Sequence, residues 1–494
     1  MSAFRKSVVG FLWNHLSKVA DFGLGYLLGI VIARLMGAQD YSVYVSIMSV
    51  VSLLLLIVSG GFDESLAKYV PQYVNAGEGM SVERLAVKLL GVRSSLIGLV
   101  AMAIYLLRGP ISVLFNNPRL DEYMGVLIAY MMIQSLINFF SSFSVARFRT
   151  RPVFIITAAM RITNIVCTVL LLRSGMGLGY VIASFSVVGL LALFGYFLLS
   201  GITKVASGNT GNLRPVFVFS ISMLANTFIA IGLGKYPAIL LLSHFFGPSV
   251  QIAYFDVAYS LELIIEYCFA LGFAGMGLTI ASDIATRIPS RLGETRRFVM
   301  QYYQLFVIPV VVFCFAKADS VIATVYSDKY LQAVPVFRTF LAINSIGVVF
   351  LARDFNATIL FSLGKERLVL LIRTVIGVSS LVVNYFVVSR FGALGAITVV
   401  GVAFLVTTLI EYVLLSATVG FGYDLSFVLK VTAVSLLAAA VVEGVGAVVS
   451  LSFPVVGLLY CLLVFAGYMA TRLHQSGIFS LFREKMMPSL RTSR

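Results

Sequence analysis

Long apolar stretches separated by short polar segments cover almost the whole chain. Each has roughly the 20 residues that an α-helix needs to cross the hydrocarbon core of a membrane. Because lipid offers the backbone no hydrogen-bond partners, each stretch is predicted to be a helix. The pattern therefore predicts an all-α polytopic membrane protein with about 14 transmembrane helices. The predicted spans are 8–33, 42–68, 86–107, 122–146, 153–173, 178–200, 215–242, 251–281, 297–316, 332–362, 368–388, 394–416, 427–448 and 454–472.

The composition supports a membrane protein and limits its partners. Of the 494 residues, 60% are hydrophobic and 12% are charged, against roughly 25% charged residues in soluble domains. The formal net charge is +15, which we attribute to cytoplasmic loops facing anionic lipid. No loop combines basic and aromatic residues as nucleic-acid-binding modules do, so no nucleic acid is expected as a partner.

The arginines and lysines predict the orientation. They concentrate on one side, where positive loops tend to remain cytoplasmic. Examples are Arg147, Arg149 and Arg151 after the fourth span and Arg287, Arg291, Arg296 and Arg297 after the eighth. The first span is too long for a signal peptide and lacks a small-residue cleavage site, so we expect it to be retained. Both termini are therefore predicted to lie in the cytoplasm, with the chain in the cell (cytoplasmic) membrane.

Cysteine and histidine patterns give no sign of a metal, a disulfide framework or a cofactor. The four cysteines fall inside predicted spans and form no CxxC pair, and the three histidines are far apart in the sequence. No GxxxxGK[ST] segment occurs, which argues against a self-contained ATPase. We expect neither a metal nor a catalytic residue.

A sequence element recurs in the two halves of the chain. "RLMGAQDYSVY" at 34–44 is partly repeated as "HFFGPSVQIAY" at 244–254, and Gly37 and Gly247 are 210 positions apart. Six predicted spans separate the copies, so equivalent points lie on the same side of the membrane. The repeat predicts two parallel-topology six-helix lobes, 1–203 and 204–420, followed by a C-terminal hairpin and basic cytoplasmic tail, 421–494. Parallel halves suit alternating access around a central cavity, although such lobes can also form a scaffold.

The segment "IARLMGAQDYSVYVSIMSVVSLLLLIVSGGFDESLAKYVPQY" at 32–73 resembles the start of Wzx-type polysaccharide flippases, within the multidrug/oligosaccharidyl-lipid/polysaccharide exporter superfamily. The matching positions include Gly37, Tyr41, Tyr44, the Gly60-Gly61 pair and Pro71. The resemblance implies a transporter, not an enzyme, that flips a polyprenyl-pyrophosphate-linked oligosaccharide to the outer leaflet. It leaves a lipid II-type precursor or a cationic drug as alternative substrates.

Such a substrate would require fixed cations for its pyrophosphate, and ionisable residues inside spans are the first candidates. Lys18 could line the cavity or pair with Asp21, three residues away on the same helical face. Lys235 lies beside a predicted hinge formed by Gly232, Gly234 and Pro237, but could instead snorkel to the outer interface. The remaining candidate cations, Arg161, Arg353 and Arg373, suit phosphate but could equally snorkel toward the cytoplasm.

Acidic residues inside spans are candidates for ion coupling. Asp256, Glu262 and Glu266 share the eighth span, and the two glutamates are one helical turn apart. Neighbouring carboxylates repel each other and so favour binding of H⁺ or Na⁺. The alternative is pairing with Lys235 or another basic residue. Asp63 and Glu64 are interpreted as interfacial charges near Lys68.

Three expectations remain. The segment 81–96 has helical periodicity and is predicted to form a surface helix before the third span, or else a continuation of that span. A membrane polymerase or ligase is the rival class of protein. Such enzymes commonly have large outer loops, whereas the outer loops predicted here are short. The protein is expected to be a monomer in contact with membrane lipids, with a polysaccharide polymerase or ligase as a possible partner.

Overall fold

The computed structural model describes residues 3–75, 82–202, 213–232, 234–270, 292–347, 353–419, 424–449, 452–471 and 473. The described residues are almost entirely helical and contain no strand. Within these ranges, 10 helices are long and apolar enough to cross a membrane. The all-α polytopic prediction is therefore confirmed, while the number 14 stays a prediction.

The chain divides into two compact units. The first comprises Met1–Asp256 and Asn384–Ala393, and the second comprises Val257–Val383 and Leu394–Arg494. These units are defined by packing, whereas the predicted lobes 1–203 and 204–420 were defined by repetition in the sequence. The lobe boundaries stay a prediction.

The first unit contains the helices of the first half of the chain. Its first eight helices are α1 (Ala3–Met36), α2 (Ala38–Ser59), α3 (Phe62–Asn75), α4 (Val82–Leu106), α5 (Arg108–Leu114), α6 (Arg119–Ala146), α7 (Thr150–Arg173) and α8 (Leu178–Ser200). They are followed by α9 (Arg214–Gly232), α10 (Lys235–Phe246) and the start of α11 (Val250–Ala270). Helix α6 packs against α2, α3, α4 and α8, and α1 packs along α7. Helix α6 is therefore central to the unit.

The second unit contains the later helices, apart from residues 384–393, which belong to the first unit. They are α12 (Leu292–Ala316), α13 (Ala318–Val325), the 3₁₀-helix Asp328–Ala333, α14 (Val334–Ser345), α15 (Arg353–Ser362), α16 (Glu366–Val419), α17 (Leu425–Val448) and α18 (Phe453–Ala470). Gly392 interrupts α16 with a non-helical backbone, so this element joins the two predicted spans 368–388 and 394–416. Helix α17 packs against α12 and α18.

Two predicted elements differ in the structure. Helix α4 runs without a break from Val82 to Leu106, so the predicted surface helix at 81–96 is wrong and its alternative, continuation of the span, is correct. The predicted span 42–68 is interrupted after Ser59, where Gly60 and Gly61 both have positive φ. A glycine tolerates this backbone because it has no Cβ. Helix α3 therefore starts as a separate element.

The turns between helices recur along the chain. Residues other than glycine rarely adopt positive φ, so a residue with positive φ marks a particular kind of turn. Four pairs are Gly37 and Gly247, Asn116 and Ser327, Phe148 and Gly364, and Gly175 and Gly392. Their members are 210, 211, 216 and 217 positions apart. This recurrence agrees with the predicted duplication, and it depends on backbone geometry rather than on residue identity.

The outward faces of the helices remain apolar. Large side chains such as Leu106 and Leu191 are 71% and 70% exposed. Single exposed apolar residues are common on soluble proteins, but here they recur along almost every long helix. This surface is suited to contact lipid.

Candidate functional site

A polar cavity lies inside the first unit. Its volume is about 430 Å³, and side chains from α1, α3, α6, α7 and α8 line it. Three of the lining residues have side chains that carry a charge: Lys18, Asp21 and Asp63. A polar cavity between apolar helices is the arrangement expected for a substrate pathway.

Lys18 contributes an exposed ammonium group to this cavity. Asn14, Ser17, Lys18 and Asp21 all line the cavity from α1, because residues three and four apart lie on one helical face. Lys18 forms no ion pair with any residue that the structure describes. Of the two alternatives open from the sequence, cavity lining therefore fits and the ion pair with Asp21 does not.

Asp21 pairs instead with Arg161 of α7. The Arg161 Nε atom lies 2.7 Å from Asp21 Oδ1. The guanidinium group is 21% exposed, whereas the carboxylate is 48% exposed. Asp21 lines the cavity, and Arg161 does not. The pair neutralises the first of the two carboxylates that face the cavity.

Asp63 pairs with Arg93 of α4, which the sequence interpretation missed. Arg93 is fully buried, and its Nη1 atom lies 2.6 Å from Asp63 Oδ1. Arg93 Nε also donates to the Ser135 hydroxyl at 3.0 Å. The interpretation of Asp63 as an interfacial charge near Lys68 is therefore wrong, since Lys68 lies over the ring of Phe219 at 4.0 Å. An arginine within an apolar segment was the signal for this pair.

A second charged cluster lies where the seventh predicted span breaks. Helix α9 ends at Gly232 and α10 begins at Lys235, with Gly234 in an extended conformation. Lys235 Nζ lies 2.9 Å from Asp256 Oδ1. The Tyr41 hydroxyl donates to the other oxygen of this carboxylate at 2.7 Å. The ammonium group thus binds a buried acid rather than snorkelling. Pro237 falls in the first turn of α10, where no backbone donor is needed.

The other candidates belong to the second unit. Arg373 Nε donates to the buried Glu411 at 2.9 Å. Glu262 is buried and accepts a hydrogen bond from Asn344, and Glu266 is buried one turn later on α11. The side chain of Arg353 lies outside the described residues. Within the described parts of the chain, no group of three or more His, Cys, Asp or Glu could hold a metal.

Structural comparison relates this fold to known transporters. Lipid II flippase MurJ in its inward closed conformation matches with a TM-score of 0.74 and 14% identity, over 95% of this chain and 99% of that chain. An inward-facing multidrug resistance MATE family transporter matches with a TM-score of 0.59 and 14% identity, over 82% and 94%. A mutant form of the MATE transporter VcmN of Vibrio cholerae matches with a TM-score of 0.56 and 12% identity, over 84% of this chain and 96% of that chain. The chain therefore has the fold of transporters of the MOP superfamily.

Sequence comparison defines the family. Residues 31–335, more than half of the chain, match the family described as polysaccharide biosynthesis protein. The chain belongs to this family. An uncharacterized membrane protein of Methanocaldococcus jannaschii is 21% identical over 423 residues, which are 80% of this chain and 81% of that protein. The predicted resemblance is confirmed, because the chain belongs to the polysaccharide biosynthesis family and has the fold of MOP-superfamily transporters.

Proposed function

We propose that this protein flips a polyprenyl-pyrophosphate-linked oligosaccharide from the cytoplasmic to the outer leaflet by alternating access. The observation that carries the proposal is the cavity of the first unit. Its ammonium group, Lys18, has no ion-pair partner among the described residues, while both of its carboxylates have arginine partners. Membership in the polysaccharide biosynthesis family supports a glycan substrate.

The charges around the cavity favour an anion. Arg161 neutralises Asp21 and Arg93 neutralises Asp63, so the ammonium of Lys18 leaves one net positive charge. A pyrophosphate group brought to this surface would meet a cation whose charge no carboxylate of the cavity compensates, and the two opposite charges would attract each other. An organic cation would find neither carboxylate free. The cavity therefore supports an anionic headgroup over a cationic drug.

The break in the seventh span supplies the proposed hinge. Gly232, Gly234 and Pro237 flank the interruption between α9 and α10. Such interruptions are the places where a helix changes direction without stretching its hydrogen bonds. In this proposal, Lys235 and Asp256 hold the hinge in one conformation.

Ion coupling is assigned to the buried glutamates Glu262 and Glu266. Both side chains are buried, at 4% and 6% exposure, and lie one turn apart on α11, and Asp256 lies on the same helix. Bound H⁺ or Na⁺ would lower the cost of burying these charges. The variants Glu262→Gln and Glu266→Gln should flip lipid at a rate that no longer responds to pH or sodium, and an unchanged response would contradict the assignment.

The proposal includes the placement in the membrane. Both termini face the cytoplasm, the protein resides in the cytoplasmic membrane, and it acts as a monomer that passes its product to a polymerase or ligase rather than as an enzyme itself. The alternative substrate is a lipid II-type peptidoglycan precursor, because this chain matches MurJ over 95% of its length. Both substrates carry a pyrophosphate, so Lys18 would serve either one.

The decisive experiment measures thermal stabilisation of the purified protein by three ligands. These are polyprenyl pyrophosphate carrying a short glycan, lipid II and an organic cation. A ligand that binds only the folded state adds about 2.7 kcal/mol of stability at a hundredfold excess over its Kd. We expect the glycan lipid to stabilise the wild type most and Lys18→Ala to lose most of this effect.

A matched control distinguishes the loss of Lys18 from the loss of any positive charge. Lys430 is an exposed lysine on α17, so Lys430→Ala should bind the glycan lipid like the wild type. Stabilisation by lipid II alone would move the assignment to the peptidoglycan precursor. Stabilisation by the organic cation alone would overturn the anion site.

A further inference from the structure

One face of helix α6 presents neutral polar groups to the cavity. Gln134, Asn138, Ser141 and Ser142 all line it. They are spaced at i, i+4, i+7 and i+8, which places them on a single stripe of the helix. We call these four residues the α6 stripe. All four are half-buried, as expected for groups that face a cavity inside the protein.

The first two residues of the α6 stripe form a linked pair. Gln134 Nε2 donates to Asn138 Oδ1 at 3.0 Å. This bond uses one donor and one acceptor and orients both amides. Within the described part of the chain, the side-chain oxygen of Gln134 and the side-chain nitrogen of Asn138 make no further hydrogen bond to protein. The pair therefore offers one acceptor and one donor group side by side.

The charged side chains of the cavity and the α6 stripe lie on different helices. Helix α1 contributes Lys18 and Asp21 to the cavity, and α3 contributes Asp63. The α6 stripe contains no ionisable group. The cavity thus separates a surface that can attract an anion from a surface that can only exchange hydrogen bonds.

The polar groups of the α6 stripe indicate which part of a lipid-linked glycan they could bind. Polar groups that face a ligand without receiving hydrogen bonds reduce affinity, because they lose their contacts with water. A polyprenyl tail would leave the side-chain oxygen of Gln134 and the side-chain nitrogen of Asn138 without hydrogen-bond partners. A sugar ring carries hydroxyl groups that both donate and accept, which matches adjacent amide carbonyl and amide N–H groups. The cavity volume of about 430 Å³ lies in the range of sites for small ligands.

We infer that the α6 stripe, through Gln134 and Asn138, recognises the sugar part of the substrate and determines which glycans are flipped, while Lys18 attracts the pyrophosphate. This inference rests on the proposed function, since it assigns a second part of the same substrate to a second wall of the same cavity. It makes a separate claim, because the pyrophosphate could bind Lys18 with the sugar outside the cavity.

The test compares lipids that differ only in their glycan. Polyprenyl pyrophosphate without sugar is compared with the same lipid carrying a hexose, an N-acetylhexosamine or a uronic acid, using ligand-dependent melting to obtain each Kd. The wild type should bind at least one sugar-bearing lipid more tightly than the sugar-free lipid. Gln134→Leu and Asn138→Leu should each lower this preference by about tenfold, the effect of losing one or two hydrogen bonds.

Three controls make the outcomes distinct. The conservative variants Gln134→Asn and Asn138→Gln retain amides and should keep part of the preference. Met132→Ala changes an exposed side chain of the same helix and should keep all of it. Lys18→Ala should raise the Kd of the sugar-free lipid and the Kd of the sugar-bearing lipids by the same factor.

The inference is overturned if no sugar-bearing lipid binds the wild type more tightly than the sugar-free lipid. It is also overturned if the leucine variants raise the Kd of every lipid by the same factor, since the α6 stripe would then support the fold without contacting the sugar. Failure of the proposed function is a different result, in which the sugar-free pyrophosphate lipid does not bind the wild type or its binding is unaffected by Lys18→Ala.

Discussion

Arg93 shows how a buried charge can organise a cavity without facing it. The guanidinium group is fully buried, binds Asp63 at 2.6 Å and lies over the ring of Phe139 at 5.6 Å. A buried ion pair is sensitive to loss of one member, because the remaining charge stays desolvated and unpaired. The contact thus fixes Asp63 on the cavity wall and cancels its charge.

The first prediction concerns this pair. Arg93→Met keeps most of the side-chain volume but leaves Asp63 without its partner, and should lower the free energy of unfolding by about 3 kcal/mol. Arg108→Met is the matched control, because Arg108 and Asp121 form an ion pair that is about half exposed and such pairs contribute about 0–1 kcal/mol. Denaturation of both variants in detergent measures the difference, and equal losses would contradict the role of Arg93.

Asp424 caps the start of α17. Burial tends to raise the pKa of its carboxyl, but hydrogen bonds from Arg297 at 2.8 Å, the Phe427 backbone N–H at 3.1 Å and Gln301 at 3.3 Å outweigh burial. Together they hold the pKa below its usual value of 3.8. These bonds also join the start of α17 to α12.

The second prediction follows from the sign of this shift. A carboxyl with a lower pKa in the folded state contributes stability above its unfolded pKa and loses it as the pH falls through the folded pKa. Asp424→Asn should therefore melt below the wild type by a constant amount above about pH 5, and the gap should close at lower pH. Melting temperatures measured between about pH 3 and about pH 8 provide the check. A gap that is as large at the acidic end of this range as at neutral pH would show that charge is not the cause.

The sequence identified individual ionisable residues better than their partners. Lys18, Asp21 and Arg161 were recognisable because charged groups are rare within apolar spans. The pairing of Asp21 with Arg161 joins residues 140 positions apart, and it depends on how α1 packs along α7. Asp63 was misinterpreted because its partner, Arg93, lies on another helix. Spacing within one helix cannot reveal such contacts.

At the scale of elements, Gly61 brings α3 into backbone contact with α9. A Cβ on Gly61 would lie 2.0 Å from the carbonyl oxygen of Ser220. One turn later, the hydroxyl groups of Ser65 and Ser220 are 2.6 Å apart. Small residues of this kind allow two membrane helices to touch along their backbones. By the predicted topology, this contact lies near the cytoplasmic ends of the predicted spans 42–68 and 215–242.

The third prediction is that this contact must separate during transport. In a protein with all four native cysteines replaced, Ser65→Cys and Ser220→Cys together should form a disulfide, because their hydroxyl oxygens are already in contact. Oxidation should stop flipping in proteoliposomes, and reduction should restore it. Each single cysteine variant should flip lipid under both conditions. Normal flipping by the oxidised double variant would mean that α3 and α9 remain together throughout the cycle.

Helix existence was predictable from the sequence, whereas helix ends were not. Apolar length alone predicted the 10 described helices that are long enough to cross a membrane, since a membrane imposes one thickness on all its spans. The break after Ser59 and the continuity of α4 were missed. In the first case, two glycines permit a turn within an apolar run. In the second, the polar residues at the start of α4 extend the same helix beyond its apolar part.

At the scale of the whole molecule, the two copies of the sequence repeat meet. Gln39, in the first corner, donates a hydrogen bond to the carbonyl of Pro248, in the second. The glycines that form these corners, Gly37 and Gly247, have φ of 85° and 62°. The repeat was detectable in the sequence because glycine is favoured where φ is positive. The equivalent turns at Asn116 and Ser327 share no residue type, so only the backbone reveals them.

The last prediction tests whether the duplicated halves are parallel. An even number of spans between equivalent turns places both turns on the same side of the membrane, whereas inverted repeats place them on opposite sides. Pro118 and Lys329 are exposed residues beside the first equivalent turns, and Arg151 and Arg367 are exposed residues beside the next ones. Each is replaced by cysteine in the cysteine-free protein and treated with a membrane-impermeant maleimide on intact cells.

We expect the cysteines at 118 and 329 to react from outside, and those at 151 and 367 to react only after the membrane is permeabilised. Reaction at all four positions after permeabilisation controls for burial. Opposite labelling of 118 and 329 would exclude parallel halves, and with them the rocking of two equivalent lobes around one cavity. Labelling of 151 and 367 from outside, with 118 and 329 protected, would keep the parallel halves but reverse the orientation. The proposed pyrophosphate site at Lys18 would then serve import rather than export.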